Sequence, residues 1–120
     1  MTVQVYHYPN CTSCKKALSW LKSEGVDIEA RDIVKETPNK EEMTTIYQAS
    51  GLPLKKFFNT SGMKYRELAL KDKLDEMSDD EQLDVLVSDG MLIKRPIVFD
   101  GKKVTLGFKE QDFIDNWKNS

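Results

Sequence analysis

Both cysteines of the chain fall in one stretch, Tyr8-Pro9-Asn10-Cys11-Thr12-Ser13-Cys14-Lys15-Lys16, as Cys-x-x-Cys. The β-branched alternation of Val3 and Val5 predicts a strand from Val3 to His7 running into it. An amphipathic segment from about Thr12 to Ser23 predicts a helix running out of it. Pro9 ends the strand, and Asn10 or Thr12 is suited to cap the helix. A thiol at such a turn lies near a helix N-terminus, where backbone N–H groups and the macrodipole favour thiolate over thiol. Lys15 and Lys16 add positive charge beside it.

Helical spacing separates the two thiols. Cys14, Ala17 or Leu18, and Leu21 fall on the apolar face, so Cys14 is expected to turn inward and Cys11 to sit at the exposed tip. That placement casts Cys11 as the attacking thiol and Cys14 as the resolving one. Two other readings of Cys-x-x-Cys compete. Zinc needs four ligands, or three and a water, and the chain offers no third cysteine and a single histidine, His7. A structural disulfide closing so short a loop removes little unfolded-state entropy. A redox-active pair is the better account, with no metal and no organic cofactor implied.

With 120 residues, one domain with a proper core is expected. No apolar run approaches the roughly 20 residues that span a bilayer, and the N-terminus lacks a secretory pattern, so a cytoplasmic protein without membrane attachment is expected. The net charge of −2 gives no global drive toward nucleic acid, though a local basic patch remains compatible with it. The chain is expected to act as a monomer.

Further along, Gly25 suits a left-handed helix end and residues 27–32 read as a second strand. Strand–helix–strand with short links predicts a right-handed crossover and a parallel pair. Asn39 with Glu41 and Glu42 marks a helix start; Met43, Ile46, Tyr47 and Ala49 form its apolar face, and Gly51 ends it. Residues 52–58 suggest a short helix with Pro53 at its first position, and Met63 to Lys71 a weak helical pattern. Ser78 and Glu81 form a capping box before a helix that ends at Asp89-Gly90. Asp100-Gly101 predicts a hairpin turn returning through Lys103 to Leu106. A final helix, Lys109 to Lys118, is expected to face the sheet with Phe113, Ile114 and Trp117. The order β-α-β, helical block, β-β-α is that of an α/β thioredoxin-like, glutaredoxin-like fold: a mixed four-stranded sheet with a helical insertion at about residues 38–90.

Tyr6-x-x-Pro9-x-Cys11-x-x-Cys14-Lys15-Lys16-Ala17, together with Lys94-Arg95-Pro96-Ile97 before a hairpin, resembles the glutaredoxin-type arsenate reductase and Spx family over essentially the whole chain. The segment from Leu54 to Leu68 is similar to a Bacillus branch of that family. The resemblance implies a cis Arg95-Pro96 peptide lying against the cysteine loop, with Arg95 directed at the Cys11 sulfur and Pro96 presenting backbone to a bound thiol. It also implies a small thiol or disulfide-bearing substrate and a thiol reductant such as glutathione, bacillithiol or thioredoxin. The arsenate reductases of the family use one cysteine and three arginines. Arg95 matches one of these, while Asn59 and Phe108 stand at or near the positions of the other two. The Spx regulators match the cysteine pair and Arg-Pro, and imply the RNA polymerase α-subunit as partner, with Gly51 near the contact.

Four other features have plainer accounts. His7 could tune Cys11, yet a strand-end histidine with ordinary polar partners is as simple. Lys15 could activate Cys11 or lie on the solvated face of its helix. Trp20, Trp117, Phe57, Phe58 and Met63 are expected to pack in the core. The acidic run Asp79-Asp80-Glu81 is expected to cap and solvate.

Overall fold

The computed structural model describes residues 2–118. Strand β1 (Thr2–His7) lies centrally in a four-stranded sheet of order β2-β1-β3-β4. It pairs in parallel with β2 (Asp27–Asp32), Thr2 opposite Asp27 through His7 opposite Asp32. On its other side it pairs antiparallel with β3 (Ile97–Phe99), which forms a hairpin with β4 (Val104–Leu106). The parallel pair is joined by helix α1 (Thr12–Ser23), whose bounds and those of β2 are the ones the sequence predicts.

Strand alternation splits the core into two layers. Val3, Val5 and Val98 face one side and pack with Ala17 and Leu21 of α1 and with Phe113 and Trp117 of α6 (Glu110–Trp117). Tyr6 and Ile97 face the other side and pack against the helical segment between β2 and β3. That segment comprises α2 (Lys40–Ser50), a 3-10 turn (Leu54–Phe57), α3 (Met63–Glu67), α4 (Leu70–Lys73) and α5 (Asp79–Val87). Short 3-10 turns follow α4 and α5. Asn39 with Glu42 and Ser78 with Glu81 form complete capping boxes, as their spacing predicts. Arg31 anchors α2 to the sheet: its Nη1 donates to Glu42 at 2.7 Å and to the Tyr6 hydroxyl at 3.1 Å. The acidic run is engaged by capping at Ser78, by the Tyr47 hydroxyl on Asp79, and by Lys40 between Asp80 and Asp84.

Several local expectations are corrected. The hairpin forms at Asp100-Gly101 as predicted, but its return strand begins at Val104 rather than Lys103. Phe99 pairs with Val104, and Asp100 turns the chain by accepting the Lys102 and Lys103 N–H groups on its carboxylate. Residues 52–58 form a 3-10 turn with Pro53 as its cap rather than its first residue. The weak helix after Met63 is broken at Ala69, which adopts a left-handed φ of 53°, between α3 and α4. Ala49, Ile114 and Met63 are exposed rather than packed, Met63 at 76 %. Met63 is the first residue of α3, while Ala49 and Ile114 lie within α2 and α6, whose buried positions are filled by Met43 and Ile46 and by Phe113 and Trp117. Among the described residues no helix is long and apolar enough to cross a membrane.

Candidate active site

The end of β1 turns into α1 through a tight bend in which the Cys11 N–H donates to the Tyr8 carbonyl at 3.0 Å. Cys11 is extended, with φ −91° and ψ 114°, and is itself the N-cap of α1. Its Sγ accepts the Cys14 N–H at 3.2 Å, and its carbonyl accepts the Lys15 N–H at 3.1 Å. Neither Asn10 nor Thr12 takes that role. Sulfur is a weaker acceptor than the oxygens that usually cap helices, so a capping rule built on Ser, Thr, Asp and Asn passes over it.

Cys14 lies inward, with no exposed surface, beside Ala17 and Leu21, and both thiols are free. Burial pushes the Cys14 thiol from its ordinary value up to about 12, and its hydrogen bond with Cys11 pushes the same way. The Tyr8 backbone and the positive charge of Arg95 oppose this without reversing it. The two cysteines are therefore unlike: Cys11 is half-buried at the helix tip, and Cys14 is held protonated behind it.

The Arg95-Pro96 peptide is cis, as the resemblance implies. The Arg95 guanidinium lies over the Tyr8 ring, 5.1 Å from its centroid, at the base of the cysteine bend. Its Nε and Nη1 are buried and have no hydrogen-bond partner among the described residues. The Pro96 carbonyl accepts the Gly107 N–H at 2.8 Å and is occupied by the hairpin. Among the described residues the Arg95 N–H and carbonyl make no backbone hydrogen bond.

Of the two auxiliary candidates, His7 ends β1 before the cysteine bend and Lys15 lies in the first turn of α1 after it. His7 is half-buried opposite Asp32 on β2; it adds to the electrostatic lowering of the Asp32 carboxyl, whose main cause is the Lys35 and Val34 N–H groups it accepts. Lys15 is exposed on the outer row of α1, where it borders a groove with Lys16, Trp20 and Phe108. Among the described residues no three His, Cys, Asp or Glu side chains gather to hold a metal ion.

Beside the cysteine bend opens a cleft of about 900 Å³ bordered by Ser13 and Arg95. Lys55, Lys56, Lys94 and Lys109 also border it, against a single carboxylate, Asp112. Lys55 is ion-paired with Asp75, leaving a cleft that is strongly cationic in a chain of net charge −2. No sequence pattern announced it: its walls come from the Leu54–Phe57 turn, the Arg95 loop and the hairpin, which are distant in sequence.

Comparison with known proteins agrees with this geometry. The chain is 58 % identical to the uncharacterized protein YusI of Bacillus subtilis over 98 % of this chain and 99 % of that one. It is 31 % identical to the regulatory protein MgsR of Bacillus subtilis, over 91 % of this chain and 85 % of the relative. Against the global transcriptional regulator Spx of Streptococcus agalactiae identity is 29 %, over 92 % and 79 %. Among solved structures, SACOL0876 of Staphylococcus aureus superposes with a TM-score of 0.89 at 51 % identity, covering 96 % of this chain and 98 % of that one. An arsenate reductase from Vibrio cholerae superposes with a TM-score of 0.84 at 27 % identity, covering 96 % and 97 %. The ArsC family model matches residues 6–115, from the strand before the cysteine bend to the last helix; the chain belongs to the ArsC family, in its thioredoxin-like fold.

Proposed function

We propose that the protein is a thiol–disulfide oxidoreductase acting through Cys11 and Cys14. The observation that carries this is the asymmetry of the pair: a half-buried Cys11 whose sulfur receives the Cys14 N–H at 3.2 Å, and a buried thiol behind it whose pKa is pushed up to about 12. The Cys11 thiolate attacks one sulfur of a substrate disulfide, the new bond forms between Cys11 and that sulfur, and the other leaves as a thiolate. Cys14 then loses its proton to water and attacks the Cys11 sulfur. The substrate's second sulfur leaves as a thiolate, and the protein keeps a Cys11–Cys14 disulfide. Two electrons pass to the substrate, and an external thiol, small or thioredoxin-like, returns them. The positive charge of Arg95 favours the Cys14 thiolate, and the Arg95 backbone next to Pro96, which makes no backbone hydrogen bond among the described residues, is suited to hold the bound thiol in an extended pose.

Mass-tagging after reaction with a disulfide tests this. Trapping of substrate on Cys11 in a Cys14→Ser variant supports the mechanism; trapping on Cys14 in a Cys11→Ser variant reverses it. The chain's similarity to MgsR and Spx supports a second reading, in which the same disulfide switches binding to the RNA polymerase α-subunit. Co-purification with that subunit, lost on Cys11→Ala, would support it. Similarity to an arsenate reductase supports arsenate reduction less well, because Asn59 and Phe108 leave Arg95 without the two further guanidinium groups that family pattern supplies.

A further inference from the structure

Resting on the redox reading above, we infer that the substrate of the cysteine pair is an acidic polypeptide segment, bound extended along the outer row of α1, rather than a small thiol. Cys11, Lys15, Ser19 and Ser23 are spaced four residues apart and form one row on α1, with Lys16 and Trp20 in the adjacent row. Lys15, Lys16, Trp20 and Phe108 border a groove of about 510 Å³ on that face. Phe108 also borders the cationic cleft at Arg95, so the two depressions share a wall, and Ser13 of the cleft and Lys15 of the groove lie two and four residues along the chain from Cys11. Among the described residues no carboxylate borders the groove.

The dimensions match a chain, not a tripeptide. At 1.5 Å per helical residue, Lys15 lies about 6 Å and Trp20 about 13 Å along the axis from Cys11. An extended peptide advances about 3.3 Å per residue. A cysteine reacting at Cys11 therefore sets a residue two positions away beside Lys15 and Lys16, and one four positions away on Trp20. The first position calls for Asp or Glu, the second for an apolar side chain. The opposite flank of the peptide enters the cleft of Lys94 and Lys109. Each exposed ion pair is weak, so the cations act chiefly on encounter rate and orientation.

The test uses synthetic peptides whose single cysteine is capped by neutral 2-thiopyridyl disulfide, so that attack by Cys11 leaves the peptide on Cys11 and releases thiopyridone. One peptide carries Glu two residues and Leu four residues from the cysteine; its twin carries Gln for Glu. Glutathione with the same cap is the small-thiol probe. The acidic peptide is expected to react about tenfold faster than its Gln twin at low salt, and faster than capped glutathione. That ratio should fall toward one in high salt and in a Lys15→Glu, Lys16→Glu variant. Equal rates for the two peptides, or capped glutathione matching the acidic one, would overturn the inference and leave the redox reading standing. Release of thiopyridone from no probe at all would overturn the redox reading and this inference with it.

Discussion

The Cys14 N–H donates to the Cys11 Sγ, so the proposed nucleophile is also the N-cap of α1. One contact thus serves stability and chemistry. The two can be separated because hydroxyl and sulfur both accept an N–H, whereas a methyl does not. Cys11→Ser is expected to keep the denaturation midpoint close to that of the parent. Cys11→Ala is expected to lose about 1 kcal/mol, the usual cost of an N-cap truncated to alanine. Both abolish disulfide reduction. Urea titration with a disulfide assay decides it: equal stability in the two variants would mean the sulfur contributes no cap.

Cys14 carries a pH signature. Its thiol is raised from 9.0 in the unfolded chain to about 12 in the folded one. The folded state therefore holds this proton more tightly, and the stabilisation is complete below pH 9. It is lost as pH rises from about 9 toward 12, where the unfolded chain ionises first. Unfolding free energy measured over that window should decline, and Cys14→Ala should remove this part of the slope. At neutral pH iodoacetamide should modify Cys11 and leave Cys14 untouched until the chain is unfolded.

Arg95 is expected to trade stability for function. Two of its nitrogens are buried without partners, a burial that costs free energy, while its stacking on Tyr8 returns part of that. Arg95→Met keeps much of the side-chain volume and removes the unpartnered donors. Its thermal midpoint is expected to equal or exceed the parent's. Its rate with a neutral disulfide should fall about tenfold, equivalent to ~1.4 kcal/mol of lost thiolate stabilisation. A variant that unfolds earlier and reacts normally would make Arg95 a packing residue.

What was legible followed from short-range patterns. The bounds of α1 and β2, both capping boxes and the inward turn of Cys14 all rest on period, cap and turn chemistry within a dozen residues. Arg95 and Pro96 were reached only through the family's motif, since nothing near them in sequence places the Arg95 guanidinium over the Tyr8 ring. Phe108 was reached only through the family pattern, and Lys94 and Lys109 were not singled out as bordering a site, because the cleft exists only once the hairpin folds over the Leu54–Phe57 turn. Ala69 marks the other limit. Its left-handed backbone is set by tertiary packing of Tyr65 and Leu70 on either side, and alanine carries no local signal for it.

Gly90 is read in the sequence as a helix stop, yet its backbone does not need glycine's positive φ. What it needs is space: a Cβ there would sit 2.1 Å from the Ile33 carbonyl oxygen and 2.8 Å from its carbon. Both are backbone atoms, and Ile33 is pinned, its N–H donating to the His7 carbonyl at 2.8 Å at the very end of β1. Gly90→Ala must therefore move the chain between β2 and α2 or the turn that follows α5, at an expected cost of about 2–3 kcal/mol. Gly51 offers the matched contrast. It has a φ of 66° and nothing within 4 Å of an added Cβ, so Gly51→Ala meets backbone strain alone and should cost about 1 kcal/mol. Because Ile33 is bonded to the strand end that leads into the cysteine bend, Gly90→Ala should also raise the hydrogen-exchange rate of the Ile33 and Cys11 amides, whereas Gly51→Ala leaves both unchanged. Equal stability losses with no difference in exchange would mean that Gly90 serves only to end α5.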